Sequence, residues 1–197
     1  MTRTRLELES MLAADVSTGP QTALRSALES LNDMETSLND LLALARDVPE
    51  QAPLDLTALL ADAERRWQGT FAAAGRPLRL AIDDDLPPAV GSSRAARQVL
   101  EVLLANAVAH GRGTVAVRAR DAAAGLAVDI ENEGSGLPED LDVFTRRPEA
   151  GAHGIGLARA RSLVETEGGL LFVSRRAPHP RFTWLVAVAA ASPGPTA

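Results

Sequence analysis

The 197-residue chain contains no cysteine, no lysine and no tyrosine. Without cysteine it has no thiol nucleophile, no disulfide and no thiolate-held metal. Without lysine it has neither a Schiff-base amine nor the lysine of a P-loop, and all 20 of its basic side chains are arginine. Its three histidines, His110, His153 and His179, stand 43 and 26 residues apart, which excludes a local zinc motif of the H-E-x-x-H kind. The longest apolar run, residues 184–191, is 8 residues, against the ~20 that cross a bilayer. The first residues, Met-Thr-Arg-Thr-Arg-Leu-Glu-Leu-Glu, lack the apolar stretch of a signal peptide. A net charge of −6 argues against general nucleic-acid binding. The expectation is a cytoplasmic protein that engages neither membrane nor nucleic acid.

What is present suffices for a core. Apolar residues make up 46% of the chain, drawn from alanine, leucine and valine because aromatics are only 3%. At roughly 150 residues per domain the length allows one domain and something smaller. Residues 21–48 contain no glycine or proline, and Leu24, Leu28, Leu31, Leu38, Leu42 and Ala45 fall at heptad-like spacing. A shorter helix over about residues 4–16 precedes them, so residues 1–48 read as a helical hairpin. The hairpin packs either on its own domain or on a second copy, as a homodimer through these N-terminal helices. A proline-flanked linker, residues 49–54, follows.

From residue 55 the pattern changes. A helix is expected over residues 55–75, then a strand over 77–82, and Ser92-Ser93 can cap a helix with the apolar stripe Ala96, Leu100, Leu103, Leu104 and Ala107. Alternating runs predict strands over 114–120 and 126–131. A glycine-bearing loop of roughly 20 residues leads to a helix over about 154–168, and strands are expected over 170–176 and 182–189. The tail, residues 191–197, is expected to be disordered. The order predicts an α+β fold with a mixed, mostly antiparallel sheet and helices on one face, spanning residues 55–190.

Three stretches carry polar groups that chemistry could use. Asn106 and His110 lie four residues apart, hence on one side of a helix at the edge of its apolar stripe, where a neutral oxygen could hold magnesium together with nucleotide phosphates. Asn132-Glu133-Gly134-Ser135-Gly136 ends a strand. Its alternate glycines let backbone turn closely around a flat ligand, and the Asn132 carbonyl could accept from an exocyclic amine. Gly154-Ile155-Gly156-Leu157 opens a helix, whose bare amides attract anions. Each alone is also a polar helix margin, an ordinary turn or a glycine run.

Their order and spacing are more specific. Asn helix, strand, G-x-G turn, lid and G-x-G helix resemble the histidine-kinase ATPase domain of the GHKL superfamily, the Bergerat-type ATP-binding α/β sandwich, in the actinobacterial style. By that resemblance Asn106 is the N-box residue and coordinates magnesium, Asn132 faces the adenine amine, and Gly134 and Gly136 shape the base pocket. Phe144 stands where the F-box phenylalanine does, and Gly154, Ile155, Gly156 and Leu157 meet the phosphates with His110 nearby. ATP and Mg2+ are the implied cofactors. Arg146 and Arg147 lie in the lid, either solvated or on the γ-phosphate.

The hairpin resembles the dimerisation and phosphoacceptor domain of these kinases, but where the family carries its histidine this chain has Thr18-Gly19-Pro20-Gln21, and no histidine occurs before His110. The residue before Asn106 is Ala105 where the family places an acidic base, Ala109 stands where a basic residue is common, Asn132 replaces aspartate, and His179-Pro180-Arg181 replaces small pocket-lining residues. No catalytic residue is therefore assigned. The resemblance implies two-component signal transduction with a response regulator or a partner kinase fragment. Two roles follow: a degenerate, pseudokinase-like binding module acting through protein contacts, or an active kinase phosphorylating a histidine or serine on a partner in trans.

Overall fold

A computed structural model of the chain describes residues 52–123, 125–139, 141–145 and 156–189. The hairpin expected in residues 1–48 and the tail at 191–197 lie outside the described residues, as do Gly154, Ile155, Arg146 and Arg147.

Two long helices carry most of the apolar surface. Helix α1, Leu56–Ala73, starts at Asp55, whose carboxylate accepts from the Ala58 N–H at 2.9 Å and so satisfies one of the amides a helix start leaves without a partner. It buries Leu56, Leu59, Leu60, Ala63 and Phe71. Helix α2, Ser93–His110, is capped by the Ser92 hydroxyl, and the whole stripe read from the sequence is buried along it, with Ala95 and Val99 in addition. Burying a leucine or valine contributes about 1.5–3 kcal/mol. Packing of these stripes therefore outweighs helix propensity as the source of stability. Helix α3, Gly156–Thr166, buries Ala160 and Val164.

The strands are β1 (Pro53–Leu54), β2 (Leu78–Ile82), β3 (Ala89–Val90), β4 (Val115–Ala122), β5 (Gly125–Asn132), β6 (Leu170–Arg175) and β7 (Arg181–Val186). Five of them form one sheet in the order β2-β4-β5-β7-β6. Strand β2 runs parallel to β4, while β4–β5, β5–β7 and β6–β7 are antiparallel. Val115, Val117 and Ala119 on β4, Val128 and Ile130 on β5, and Phe182 and Trp184 on β7 join the helices in the core. The alternate positions, Arg118, Asp129 and Thr183, form a row across the other face. This is the α+β arrangement that the sequence pattern predicts.

The pair β1–β3 was not visible in the periodicity, since two residues show none. Pro53–Leu54, at the end of the expected linker, pairs antiparallel with Ala89–Val90. The Ala89–Val188 bridge joins that small ribbon to the chain just after β7.

Candidate functional site

The last turns of α2 and the end of β5 meet because the loop between α2 and β4 folds back on the residue after β5. The Glu133 N–H donates to Arg112 O at 2.9 Å, and the Thr114 N–H donates to the Glu133 carboxylate at 3.0 Å. Hydrogen bonds from Thr114 hold the Glu133 carboxyl below its ordinary pKa. Gly113 has a φ of 57° and a Cβ there would collide with that carboxylate, so the turn requires glycine.

Arg76 ties the same corner from below. Its guanidinium donates to the carbonyls of Ala107 at 2.6 Å, Val108 at 3.3 Å and Gly113 at 2.9 Å, and lies 5.6 Å from the centre of the Phe71 ring. Burial lowers its pKa from the usual arginine value. Two of those carbonyls, Ala107 and Val108, belong to the turn between Asn106 and His110, and the third, Gly113, to the loop that follows. Arg76 was not singled out in the sequence, where it follows Gly75 in a turn with no pattern to mark it.

Asn106 is half-buried on α2, and His110 and Ala105 are exposed. The carboxylate one turn before Ala105, that of Glu101, is already engaged by Arg66 at 2.9 Å and by the Trp67 indole N–H at 3.1 Å. No ionisable group therefore stands at the position beside Asn106. Gly156 opens α3 against α2, with a Cβ there placed 3.5 Å from Val102 Cγ1, one turn before Asn106. Leu157 is half-buried against the core. The start of α3 thus packs on α2 one turn before Asn106.

Asn132 is 6% exposed and ends β5. Its side-chain oxygen accepts from the Gly134 N–H at 2.9 Å, and its backbone N–H donates to Pro180 O at 3.3 Å. The amide is walled by glycines. A Cβ on Gly111 would lie 2.9 Å from Asn132 Cγ, and one on Gly134 would lie 2.7 Å from Asn132 Oδ1. Gly136, at φ 124°, would place a Cβ 2.6 Å from that of Ala177. The loop is fastened to the β6–β7 connection by His179 N–H to Gly134 O at 3.2 Å and Leu137 N–H to Arg176 O at 2.9 Å. So Asn132, Gly134 and Gly136 form one backbone cradle, whose second wall is the His179-Pro180 segment.

Phe144 stands edge-on to Phe182, with centroids 6.2 Å apart, and Arg161 of α3 lies 5.1 Å from its centre. It therefore joins the start of the lid to β7 and α3. Among the described residues no cluster of three or more histidine or acidic side chains could hold a metal ion. Asn106 is a single oxygen donor, which suits a magnesium ion that keeps waters and takes its other ligands from phosphates. Among the described residues no helix is long and apolar enough to cross a membrane.

The comparisons with known proteins agree with this geometry. Residues 91–189, half of the chain, match the model of the family described as histidine kinase-, DNA gyrase B-, and HSP90-like ATPase. The chain is 34% identical over 160 residues to the "Probable sensor histidine kinase HK" of Mycobacterium tuberculosis, a match covering 75% of this chain and 41% of that protein. It spans less than half the length of this and other curated relatives. Among solved structures, Acinetobacter baumannii histidine kinase AdeS superposes with a TM-score of 0.70 at 18% identity, covering 95% of this chain and 93% of that one. Histidine kinase ThkA, in a complex with the response regulator protein TrrA, gives 0.63 at 17% identity, over 94% of this chain and 59% of that one. With the family model, the relatives and the fold all agreeing, the chain belongs to the histidine kinase-, DNA gyrase B- and HSP90-like ATPase family.

Proposed function

We propose that this chain is a nucleotide-binding, histidine-kinase-like signalling module that does not phosphorylate itself and acts through contact with a partner. One observation carries the reading: no histidine precedes His110, so residues 1–48 offer no imidazole to receive a phosphoryl group. Ala105 supports it, because the position before Asn106 has no proton acceptor, and the carboxylate one turn earlier, that of Glu101, is held by Arg66 and Trp67.

The residues fit a purine nucleotide with magnesium. The glycine-walled amide of Asn132 suits the edge of a flat base. Asn106 supplies a neutral oxygen for the cation, and the backbone amides of Gly156 and Leu157 at the start of α3 suit phosphate oxygens. A magnesium ion there neutralises phosphate charge. Phe144, against Phe182 and Arg161, orders the start of the lid. A response regulator or a partner kinase fragment is the partner this reading expects, consistent with the ThkA–TrrA complex.

A second reading is favoured by a specific feature: Asn106 is retained, and α3 opens against the turn of α2 just before it. On that reading the chain is a kinase acting in trans on a histidine or serine of a partner. Incubation with γ-labelled ATP and magnesium, alone and with response regulators or histidine-bearing kinase fragments, separates the two. The expected result is nucleotide binding by calorimetry with no label on any protein. Label on a partner would establish the second reading, and label on this chain would overturn the first.

A further inference from the structure

Resting on the nucleotide-binding reading, we propose that Arg76 is a positioning residue of this site: its guanidinium fixes the spacing between Asn106, the residue for magnesium, and Asn132, the residue for the base. The side chain starts from a rigid foot. The Arg76 N–H donates to Phe71 O at 2.9 Å, and the guanidinium lies 5.6 Å from the centre of the Phe71 ring, which is fully buried in the last turn of α1. From there Nη1 donates to the carbonyls of Ala107 and Val108, the two residues after Asn106, at 2.6 and 3.3 Å. Nε donates to Gly113 O at 2.9 Å, and the next residue, Thr114, is bonded to the Glu133 carboxylate beside Asn132. The remaining nitrogen, Nη2, faces Gly111. A Cβ on that glycine would lie 2.8 Å from Nη2 and 2.9 Å from Asn132 Cγ, so the guanidinium and the Asn132 amide converge where a side chain would otherwise stand.

A helix end does not need such an arrangement. A left-handed glycine just past the end commonly supplies the backbone donors that the last carbonyls lack. Gly111 instead has φ −82° and ψ 172°, so the chain leaves α2 extended, and its N–H meets only Ala107 O, at 3.0 Å. Arg76 takes the place of that cap, and at a cost to stability: Nη2 is enclosed without a hydrogen-bond partner, and burial lowers the pKa of the guanidinium with no carboxylate among the described residues to offset it. What the arrangement adds is definition. A planar fork bonded to three carbonyls allows one placement of the α2 turn, whereas the ammonium of a lysine on its flexible stem does not. Asn106 depends on that placement, because a lone neutral oxygen has no second protein ligand beside it to orient the cation.

The test is calorimetric titration of the full chain with ATP, in magnesium and in EDTA, for the wild type, Arg76→Lys and Arg76→Met, with circular dichroism to establish that each variant is folded. Lysine keeps the charge and the stem but not the fork, and methionine keeps the stem alone. Magnesium is expected to raise the ATP affinity of the wild type. In both variants that gain shrinks by about tenfold or more, the scale of losing a group that orients a metal ligand. Binding of ATP in EDTA, which uses Asn132 and not Asn106, changes little. Should Arg76→Met not fold, Arg76→Lys decides alone. A magnesium gain that is unchanged in a folded variant would overturn the inference, as would an equal loss of ATP affinity with and without magnesium. Wild-type behaviour in Arg76→Lys would also overturn it, by assigning the effect to charge and not to spacing. If the wild type binds ATP equally well in EDTA, the inference falls while the base pocket stands. If the wild type binds no nucleotide, the nucleotide reading itself falls.

Discussion

Asp129 and Asn132 lie three residues apart on β5, on opposite faces of the sheet, and both are nearly buried. Asp129 is fully engaged. Arg120 Nε donates to one oxygen at 2.7 Å and the Thr183 hydroxyl donates to the other at 2.6 Å, with Ser174 Oγ 2.6 Å beyond. Asn132 is engaged on its oxygen alone, and its NH2 has no described partner. Most buried polar groups end up satisfied, because each missing bond costs about 1–3 kcal/mol. The Asn132 NH2 is not an enclosed orphan of the kind Arg76 Nη2 is, so it has capacity left over that is open to a ligand, among glycines that keep its surroundings clear.

The largest expected effect tests that contrast directly. Asp129→Ala removes the acceptor of both the partly exposed Arg120 guanidinium and the buried Thr183 hydroxyl and is expected to cost about 2–3 kcal/mol, the scale of losing hydrogen bonds to a charged group. Asn132→Ala is expected to cost about 1 kcal/mol and to abolish the base contact. Urea unfolding gives the first quantity for both variants and nucleotide titration the second. Equal losses of stability would mean that Asn132 is as structural as Asp129.

The glycines extend the comparison. Gly136→Ala is expected to destabilise by about 2 kcal/mol, because its φ of 124° disfavours any side chain and Ala177 occupies the space. Gly156→Ala meets only Val102 at an ordinary 3.5 Å and is expected to leave stability within about 1 kcal/mol of the wild type or slightly higher. Nucleotide affinity should fall in both. Thermal melts that rank the two the other way would contradict the cradle described for Gly136.

Most of the fold was legible because its elements are long. Helices α1 and α2 repeat their apolar stripe over 18 residues each, and the Ser92 cap of α2 is the one read from the sequence, while the Asp55 cap of α1 emerges from the structure. Asn132, Gly134 and Gly136 were legible as a turn, and the structure adds that Gly111, distant in sequence, forms the opposite wall. Arg76 was not legible, because its three carbonyl partners are contributed by the end of a helix and the loop after it, more than 30 residues away. The burial of Asp129 was not read from the sequence: it lies on the face of β5 away from the helices, and Arg120 and Thr183 bury it there, since side chains from neighbouring strands can cover a polar row that its own strand leaves open.

Glu131, between the two residues compared, gives the smallest effect and the finest test. Burial pushes its carboxyl pKa up, but hydrogen bonds from Arg181 and Arg175 outweigh it and hold the pKa below the ordinary glutamate value. The folded state therefore binds that proton less readily than the unfolded chain, whose glutamates titrate near about 4.3. The stabilisation is present in full above that unfolded value and is lost as pH falls through the lower folded one. Glu133 and Asp142 are also held low, so the wild type alone mixes several titrations. The difference between wild type and Glu131→Gln isolates the one. That difference is expected to be about 1 kcal/mol near neutrality, the scale of a partly exposed ion pair, and to shrink toward zero below pH about 4. A difference that stayed constant on acidification would assign Glu131 a role in packing and not in charge pairing with Arg175 and Arg181.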